Sequence, residues 1–416
     1  MKVLYVCPFA HYSGHHPHVS KVEPEYLQKA GIDVTLLTFS GIINNAEVNV
    51  KHVQVLKGHD KLQGIFKKIR LKTLPRWVIM FTETIFTLRK AIQMQRKDNY
   101  DVLHWRDGEP FIFLSHLLSL PYRNINWFVS LTAAIVFKPK LTKLDIIRRP
   151  FVVLYTAFLY FMVNNSIWKL LYKLSAKRNN HFYAPQNSLA EKAYKGYLNG
   201  IFKDKVECIE LGIGDHIQVP DKELSRKRLG LPLNKFILLS FGAPNAGKDM
   251  DTMFKAISQS DAYLVHGGTH TFSLGSSPIE LAQRYNLNGR AKIFNYFISE
   301  EEKPYFFGAT DAIVLSYNKS FASTSSMMWE AARYKLPVIS SNANSLGKDV
   351  ARYNLGLLFE AQDSISLRDA VKKYQRLTPN EIESFKIGCE KFVRDYSDTK
   401  WAEKCIKVYK RLLNEQ

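Results

Sequence analysis

The sequence has few cysteines, no apolar run long enough to cross a membrane and a shortage of acidic residues. Four cysteines stand far apart among 416 residues with no CxxC pair, so neither a disulfide framework nor a zinc site is supported. The longest uncharged apolar stretch, residues 151–163, has thirteen residues, whereas a helix needs about 20 to cross a bilayer. The apolar run at the N-terminus is too brief for a secretory signal and fits a first β-strand. These absences predict a reduced, cytoplasmic setting.

Basic residues are unevenly distributed along the chain. Lysine and arginine exceed aspartate and glutamate by 58 to 38, and residues 1–200 hold 28 of the basic and 12 of the acidic side chains. That half therefore carries about +16, against about +4 for the rest. A field of this size favours an anionic partner such as acidic lipid or a lipid-linked phosphate acceptor. Nucleic acid is not predicted, because neither zinc-finger spacing nor an RNP-like aromatic signature is present.

Two segments of the basic half have the pattern of helices that lie in a lipid headgroup layer. In the first segment, apolar residues fall on one helical face and lysines repeat every four residues on another. The apolar set is Ile167, Leu170, Leu171 and Leu174, and the basic set is Lys169, Lys173 and Lys177. Residues 61–72 show a similar arrangement. The pattern predicts peripheral attachment at the inner face of an anionic membrane, and ordinary core helices with solvated lysines are the alternative.

In the second half, a hydroxyl-rich loop leads into a short helix that carries one acid, Glu330. Free N–H groups at a helix start attract a diphosphate, and small hydroxyl side chains add donors without bulk. The hydroxyl residues are Ser323, Thr324, Ser325 and Ser326. Helical side chains tilt toward the N-terminus, so the Glu330 carboxylate can reach the same ligand and accept the vicinal hydroxyls of a ribose. The segment predicts a sugar-nucleotide site, and a surface helix with ordinary caps is the alternative.

A second strand and loop lie about eighty residues upstream. Residues 236–241 read as a buried parallel strand, and the loop that follows contains Gly242, Asn245 and Lys248. The spacing fits the phosphate-loop pattern GxxxxGK, whose amides and lysine hold phosphates. However, Asp249 occupies the position of the magnesium-binding hydroxyl residue. A phosphate-loop NTPase is therefore the less favoured interpretation.

The N-terminal strand ends in a loop that contains Gly14, His15 and His16. Glycine permits close backbone approach to a ligand, and the loop follows the carboxyl end of a predicted parallel strand. Histidines crowd this loop, but no pair has the HExxH context, so acceptor or phosphate contact is favoured over a metal site. Another predicted strand, residues 100–105, would deliver His104, Arg106 and Asp107 to the same edge of the sheet.

The order of these segments resembles the GT-B glycosyltransferases, in particular the retaining family-four type. The family's glycine loop and lysine correspond to Gly242 and Lys248, and its Glu-x7-Glu motif ends on Glu330. Its later Gly-Leu-Leu-Phe appears unchanged at residues 356–359. The resemblance covers essentially the whole chain.

The resemblance implies an α/β fold of two doubly wound Rossmann-like domains facing across a cleft. It assigns residues 1–205 to an acceptor-side domain, 206–395 to a nucleotide-sugar-binding domain and 396–416 to a helix that crosses back to the first domain. The implied activity is that of a hexosyltransferase-type enzyme with a nucleotide-sugar donor as substrate, a lipid-linked or glycan acceptor, and no protein-bound metal. Lys248 and Glu330 would be its catalytic residues.

Two positions depart from the family pattern. Ala243 stands where the family has a diphosphate-binding arginine, and Ala322 stands where it has the first glutamate of the pair. The loss of a charge-assisted contact costs about 1.5–3 kcal/mol in general, and Lys248 would then hold the diphosphate without a second cation. The departures keep open a non-catalytic GT-B relative that binds nucleotide or glycan as a scaffold at a membrane.

Overall fold

A computed structural model divides the chain into two units. Unit 1 comprises Met1–Gly212 and Asp398–Gln416, and unit 2 comprises Ile213–Ser397. The structure describes residues 1–8, 16–39, 50–55, 76–106, 117, 119–131, 166–186, 188–196, 203–244, 247–270, 277–321 and 325–414. The border at Gly212 lies a few residues beyond the predicted 205.

Unit 1 contains a six-stranded sheet in which all neighbouring strands are parallel. Its strands are β1 (Lys2–Cys7), β2 (Asp33–Phe39), β3 (Lys51–Val55), β4 (Val102–Trp105), β5 (Asn126–Leu131) and β6 (Asn180–Pro185), in the order β3-β2-β1-β4-β5-β6. The helices are α1 (His16–Lys29), α2 (Arg76–Asp98), α3 (Ser166–Ala176) and α4 (Ser188–Gly196), with a 3-10 turn at Lys203–Lys205. Every residue of β4 and β5 is buried, as expected for strands covered on both faces.

The last helix of the chain, Asp398–Asn414, belongs to the core of unit 1. Its buried residues recur at helical spacing and pack with Phe128 and Phe182 of the sheet. The buried apolar set is Trp401, Ala402, Cys405, Val408, Tyr409 and Leu412. The apolar stripe therefore explains why the chain returns to its first unit.

Unit 2 repeats the same strand order in a second all-parallel sheet. Its strands are β7 (Ile237–Phe241), β8 (Tyr263–Gly267), β9 (Ala291–Phe294), β10 (Ala312–Leu315), β11 (Val338–Ser341) and β12 (Gly356–Phe359), in the order β12-β11-β10-β7-β8-β9. The helices are α5 (Lys222–Leu229), α6 (Met250–Ser258), α7 (Pro278–Arg284), α8 (Lys303–Ala309), α9 (Ser326–Arg333), α10 (Asn344–Tyr353), α11 (Ser364–Gln375) and α12 (Pro379–Asp395), and Asp398–Asn414 is α13. The predicted pair of doubly wound α/β domains is confirmed.

The strand order of unit 2 reverses between β7 and β10, which are neighbours. In open parallel sheets, ligands bind outside the carboxyl ends of the strands at such a switch point. The two sequence segments singled out for ligand binding are the ones that leave β7 and β10. The topology therefore brings both to one place.

Two further properties concern the whole described chain. In the ranges given above, no helix is both long enough and apolar enough to cross a membrane. All four cysteines lie within those ranges and form no disulfide with one another.

Candidate functional site

The loops that follow β7 and β10 are tied together by backbone hydrogen bonds. The Asp249 amide donates to the Ser316 carbonyl at 2.9 Å, and the Asn318 amide donates to the Gly247 carbonyl at 2.9 Å. Lys248 and Tyr317 thus form an isolated antiparallel bridge between the loops. The lysine loop and the loop leading to Glu330 consequently share one short piece of backbone structure at the switch point.

Lys248 is partly buried and directed at the end of β7. Its Nζ donates to the carbonyls of Phe241 at 2.7 Å and Gly242 at 3.1 Å. Gly242 has φ +86, and a Cβ there would lie 3.2 Å from Nζ, so a glycine suits this approach. Burial lowers the pKa of Lys248 to about 8, and the ammonium form therefore prevails at neutral pH.

The loops after β7 and β8 also approach each other closely. Gly242 donates its amide to the Gly267 carbonyl at 2.8 Å. Gly268 has φ +149, and a Cβ on it would lie 2.7 Å from the Gly242 carbonyl carbon. No side chain fits between these backbones, which leaves peptide groups beside the Lys248 ammonium.

Asp249 explains why the phosphate-loop pattern fails after its lysine. Its Oδ1 accepts from the Thr252 amide at 3.2 Å and caps the N-terminus of α6. The position that would hold a magnesium-binding hydroxyl is thus used as a helix cap. The structure gives the NTPase interpretation no support here.

The start of α9 uses one of the predicted hydroxyl residues internally. Ser325 is buried, and its Oγ accepts from the Met328 amide at 3.3 Å and lies 3.0 Å from the Tyr317 hydroxyl. Ser325 is therefore the N-cap of the helix, which was the alternative considered for this segment. Ser326 is exposed in the first turn, where a ligand can reach its hydroxyl and the nearby amide.

Glu330 lies one turn further along the same face of α9. Met327, three residues before it, has its Sδ 3.7 Å from the Cβ position of Gly242, so this face is directed toward the Lys248 loop. Glu330 Oε1 is 3.6 Å from Lys303 Nζ and 3.6 Å from Arg333 Nη1. Its other oxygen, Oε2, is buried and has no hydrogen-bond partner in the described part of the protein. The carboxylate thus has one unused acceptor.

Several predicted residues lie outside the described ranges. These are Gly14, His15, Asp107, Asn245, Ala322, Ser323 and Thr324, together with residues 61–72 and 151–163. His16 begins α1, but its side chain is likewise outside the description. Their assigned contacts stay predictions.

The expectation that His104 is presented to a ligand is wrong. His104 is fully buried, with Nδ1 2.5 Å from the Tyr409 hydroxyl and Nε2 2.8 Å from Ser130 Oγ. Arg106, 1% exposed, likewise lies inside the unit, with Nε 3.3 Å from Glu23 Oε2. Sequence position placed both at the carboxyl edge of β4, but the packing of α1 and α13 covers them.

Three side chains of unit 2 were missed from the sequence. Lys303 and Arg333 are the cations beside Glu330. His266 is fully buried on β8, with Nδ1 3.0 Å from Ser240 Oγ, and burial together with the Lys248 charge lowers its pKa to about 3. For Arg333, the only sequence feature that could have predicted the contact was its position three residues after Glu330. For Lys303, no sequence feature indicated the contact.

Comparison with known families identifies the domain that contains this site. Residues 221–383 match the family model described as glycosyl transferases group 1. The match includes the lysine loop, the α9 start and Glu330 in one stretch. Unit 2 therefore carries a glycosyl transferases group 1 domain. A search of curated protein sequences finds no match.

Solved structures are similar to this chain along its whole length. Sucrose-phosphate synthase from Thermosynechococcus elongatus has a TM-score of 0.69 at 16% identity and covers 100% of both chains. WaaG, a glycosyltransferase involved in lipopolysaccharide biosynthesis, gives 0.62 at 12% identity over 98% of this chain and 99% of that one. Anabaena HepE in complex with UDP and glucose gives 0.63 at 12% identity, over 99% and 100%. At these identities the likeness shows the fold, which is GT-B as predicted.

Proposed function

We propose that this glycosyltransferase moves a sugar from a nucleotide-diphosphate sugar to a lipid-linked or polysaccharide acceptor, with retention of configuration. The donor would bind at the carboxyl ends of β7 and β10. Two proteins of the same fold support the choice of substrates: HepE was solved with UDP and glucose, and WaaG takes part in lipopolysaccharide biosynthesis.

The observation that carries the proposal is the unused acceptor of Glu330. A buried carboxylate oxygen without a hydrogen bond is costly, so such groups in native proteins call for an explanation. A ribose has two neighbouring hydroxyl donors that an ionised carboxylate can accept. With Lys248 at the adjoining loop, one nucleotide diphosphate would occupy both groups.

The chemistry requires negative charge to be stabilised on the leaving diphosphate. The bond between the anomeric carbon and the phosphate oxygen breaks, and its electron pair stays on that oxygen. The acceptor hydroxyl oxygen forms the new bond on the same face of the sugar, and its proton passes to the leaving phosphate. The Lys248 ammonium and the amides at the start of α9 would carry the electrostatic stabilisation.

Transfer and donor-hydrolysis assays across UDP-, GDP- and ADP-sugars test the proposal. Lys248→Ala is expected to lower turnover by about 10²- to 10³-fold, the usual effect of removing one group that stabilises charge in the transition state. Glu330→Ala is expected to weaken donor binding. Lys386→Met is the matched control, because this lysine of the same unit pairs with Glu383 on the surface. Equal activity of Lys248→Ala and Lys386→Met would refute the proposed role.

A second candidate is a non-catalytic relative that binds a nucleotide or glycan as a scaffold. It is favoured by Ala243, which is exposed beside Gly242 and supplies no cation at the position of the family arginine. In the same assays this candidate predicts nucleotide binding that Lys248→Ala weakens, without sugar transfer or hydrolysis from any of the three donors.

Peripheral attachment to an anionic membrane is the further part of the proposal. On α3, Leu170 and Leu174 are 59% and 43% exposed and stand one turn apart. Lys173 is exposed three residues after Leu170, and Lys177 is exposed just beyond the end of the helix at Ala176. Apolar side chains flanked by ammonium groups match the interface between acyl chains and acidic headgroups.

Co-sedimentation with lipid vesicles tests this surface. The wild type is expected to bind vesicles that contain phosphatidylglycerol better than vesicles of phosphatidylcholine alone. The double variant Leu170→Gln/Leu174→Gln should lose most of that binding, while Leu224→Gln, which changes an exposed leucine of unit 2, should keep it. Undiminished binding by the double variant would remove α3 from the proposal.

A further inference from the structure

One carboxylate oxygen of Glu330 lies between two cations that belong to different helices. Lys303 begins α8 and is only 8% exposed, while Arg333 ends α9. Each places a nitrogen 3.6 Å from Glu330 Oε1. Lys303 Nζ also donates to both carboxylate oxygens of Glu300 at 2.7 Å, so the lysine is fixed from a second side.

Arg333 is fixed by the segment through which the chain enters unit 2. Its Nε donates to the Asp215 carbonyl at 3.0 Å, and its own carbonyl accepts from the Ile217 amide at 2.9 Å. Gly214 has φ +77, and a Cβ on it would lie 3.1 Å from the guanidinium, so the arginine packs directly against the glycine backbone. These contacts leave Arg333 little freedom to follow Glu330 elsewhere.

The two cations have a clear electrostatic consequence for Glu330. The ammonium and the guanidinium attract the carboxylate, and contact at a single oxygen leaves the other oxygen directed elsewhere. Oε2 is the oxygen left over.

We propose that Lys303 and Arg333 are positioning residues for Glu330, which hold Oε1 so that Oε2 stays an acceptor for the hydroxyl pair of the donor's ribose. This inference rests on the proposed function, since it takes the ligand to be a nucleotide. Neither cation touches the substrate. Their effect reaches it through Glu330, and Arg333 links that carboxylate to residues 214–217.

The test is a comparison of two ligands on each variant. Isothermal titration first ranks UDP, GDP and ADP on the wild type, and the tightest binder is then compared with its 2′,3′-dideoxy counterpart. Hydrogen bonds to a charged group are expected to favour the ribose form by about 10-fold or more. Lys303→Met and Arg333→Met should bring this ratio to within about 3-fold of unity while leaving the dideoxy affinity unchanged. Lys303→Arg and Arg333→Lys should restore most of it.

The ratio distinguishes positioning from general damage. A variant that merely loosens unit 2 would weaken both ligands together, whereas loss of positioning affects the ribose form alone. Lys386→Met should leave the ratio at the wild-type value. An undiminished ratio in both methionine variants would overturn the inference while leaving the proposed function intact. A wild type that does not distinguish the two ligands, or that binds none of the three nucleotides, would refute the role of Glu330 and the inference with it.

Discussion

The two units share one strand order and use the acid-arginine pairs near their strand ends differently. In unit 1, Glu23 and Arg106 are 3% and 1% exposed, and the carboxylate also accepts from the Tyr5 hydroxyl. In unit 2, Glu330 and Arg333 are 19% and 17% exposed. The first pair is almost fully buried, whereas the second is partly exposed. Equal topology therefore does not imply equal access, and we expect only the second pair to serve a ligand.

The largest expected difference between the two pairs is in their contribution to the free energy of unfolding. Arg106→Met should lower the free energy of unfolding by about 3–5 kcal/mol, because it leaves the buried Glu23 carboxylate without its cation. Arg333→Met should cost only about 1–2 kcal/mol, since it removes a partly exposed contact and one hydrogen bond. Urea titration of both variants measures the difference. Equal losses would mean that the two pairs are structural alike.

The elements around the site were predictable because each depends on a local pattern. The run at residues 236–241 predicted β7, since an apolar run bounded by glycine is typical of a buried strand. The hydroxyl loop gave the start of α9. The contacts of Glu330 were not predictable, because Lys303 is brought to it by the packing of another helix. The contact of Arg333 with Asp215 spans 118 positions along the chain.

The sequence predicted an accessible His104, and the structure shows a buried one. A residue next to the carboxyl end of a parallel strand belongs to the usual ligand-binding edge, and sequence offers no sign that α13 will cover it. The covering helix comes from 305 residues downstream, where Tyr409 meets the imidazole. Tertiary packing across such separations decides exposure, and periodicity cannot.

The next effect concerns pH and Lys248. In the proposed site nucleotide binding would need the ammonium form, and the pKa of this lysine is lowered by burial to about 8. Affinity should therefore fall about 10-fold between pH 7 and pH 9, because the charged fraction falls about 10-fold over that interval. Lys248→Arg should flatten the profile, since a guanidinium stays charged. A titration of nucleotide binding against pH measures this, and an unchanged slope in the arginine variant would contradict it.

The contribution of Lys248 to stability should rise with pH, whereas its contribution to nucleotide binding should fall. The pKa of Lys248 in the folded state lies below its unfolded value of 10.5, so between about pH 8 and 10.5 the unfolded chain binds more protons. The contribution of this residue to the free energy of unfolding therefore rises as pH increases. Comparing the wild type with Lys248→Met by urea titration isolates that contribution from the other titrating groups. A wild-type stability that falls relative to the variant would contradict the lowered pKa.

The smallest expected effect comes from repairing the phosphate-loop pattern. Asp249→Ser restores the consensus hydroxyl after Lys248, but serine and aspartate cap helices about equally well, so stability should change by only a few tenths of a kcal/mol. The Lys248 ammonium would remain on the carbonyls of Phe241 and Gly242. Neither ATP nor GTP should then be hydrolysed in a magnesium-dependent manner. Appearance of such hydrolysis in the serine variant would show that the loop can hold phosphates as an NTPase does. The Glu330–Arg333 pair would then serve only the fold, as the Glu23–Arg106 pair does in unit 1.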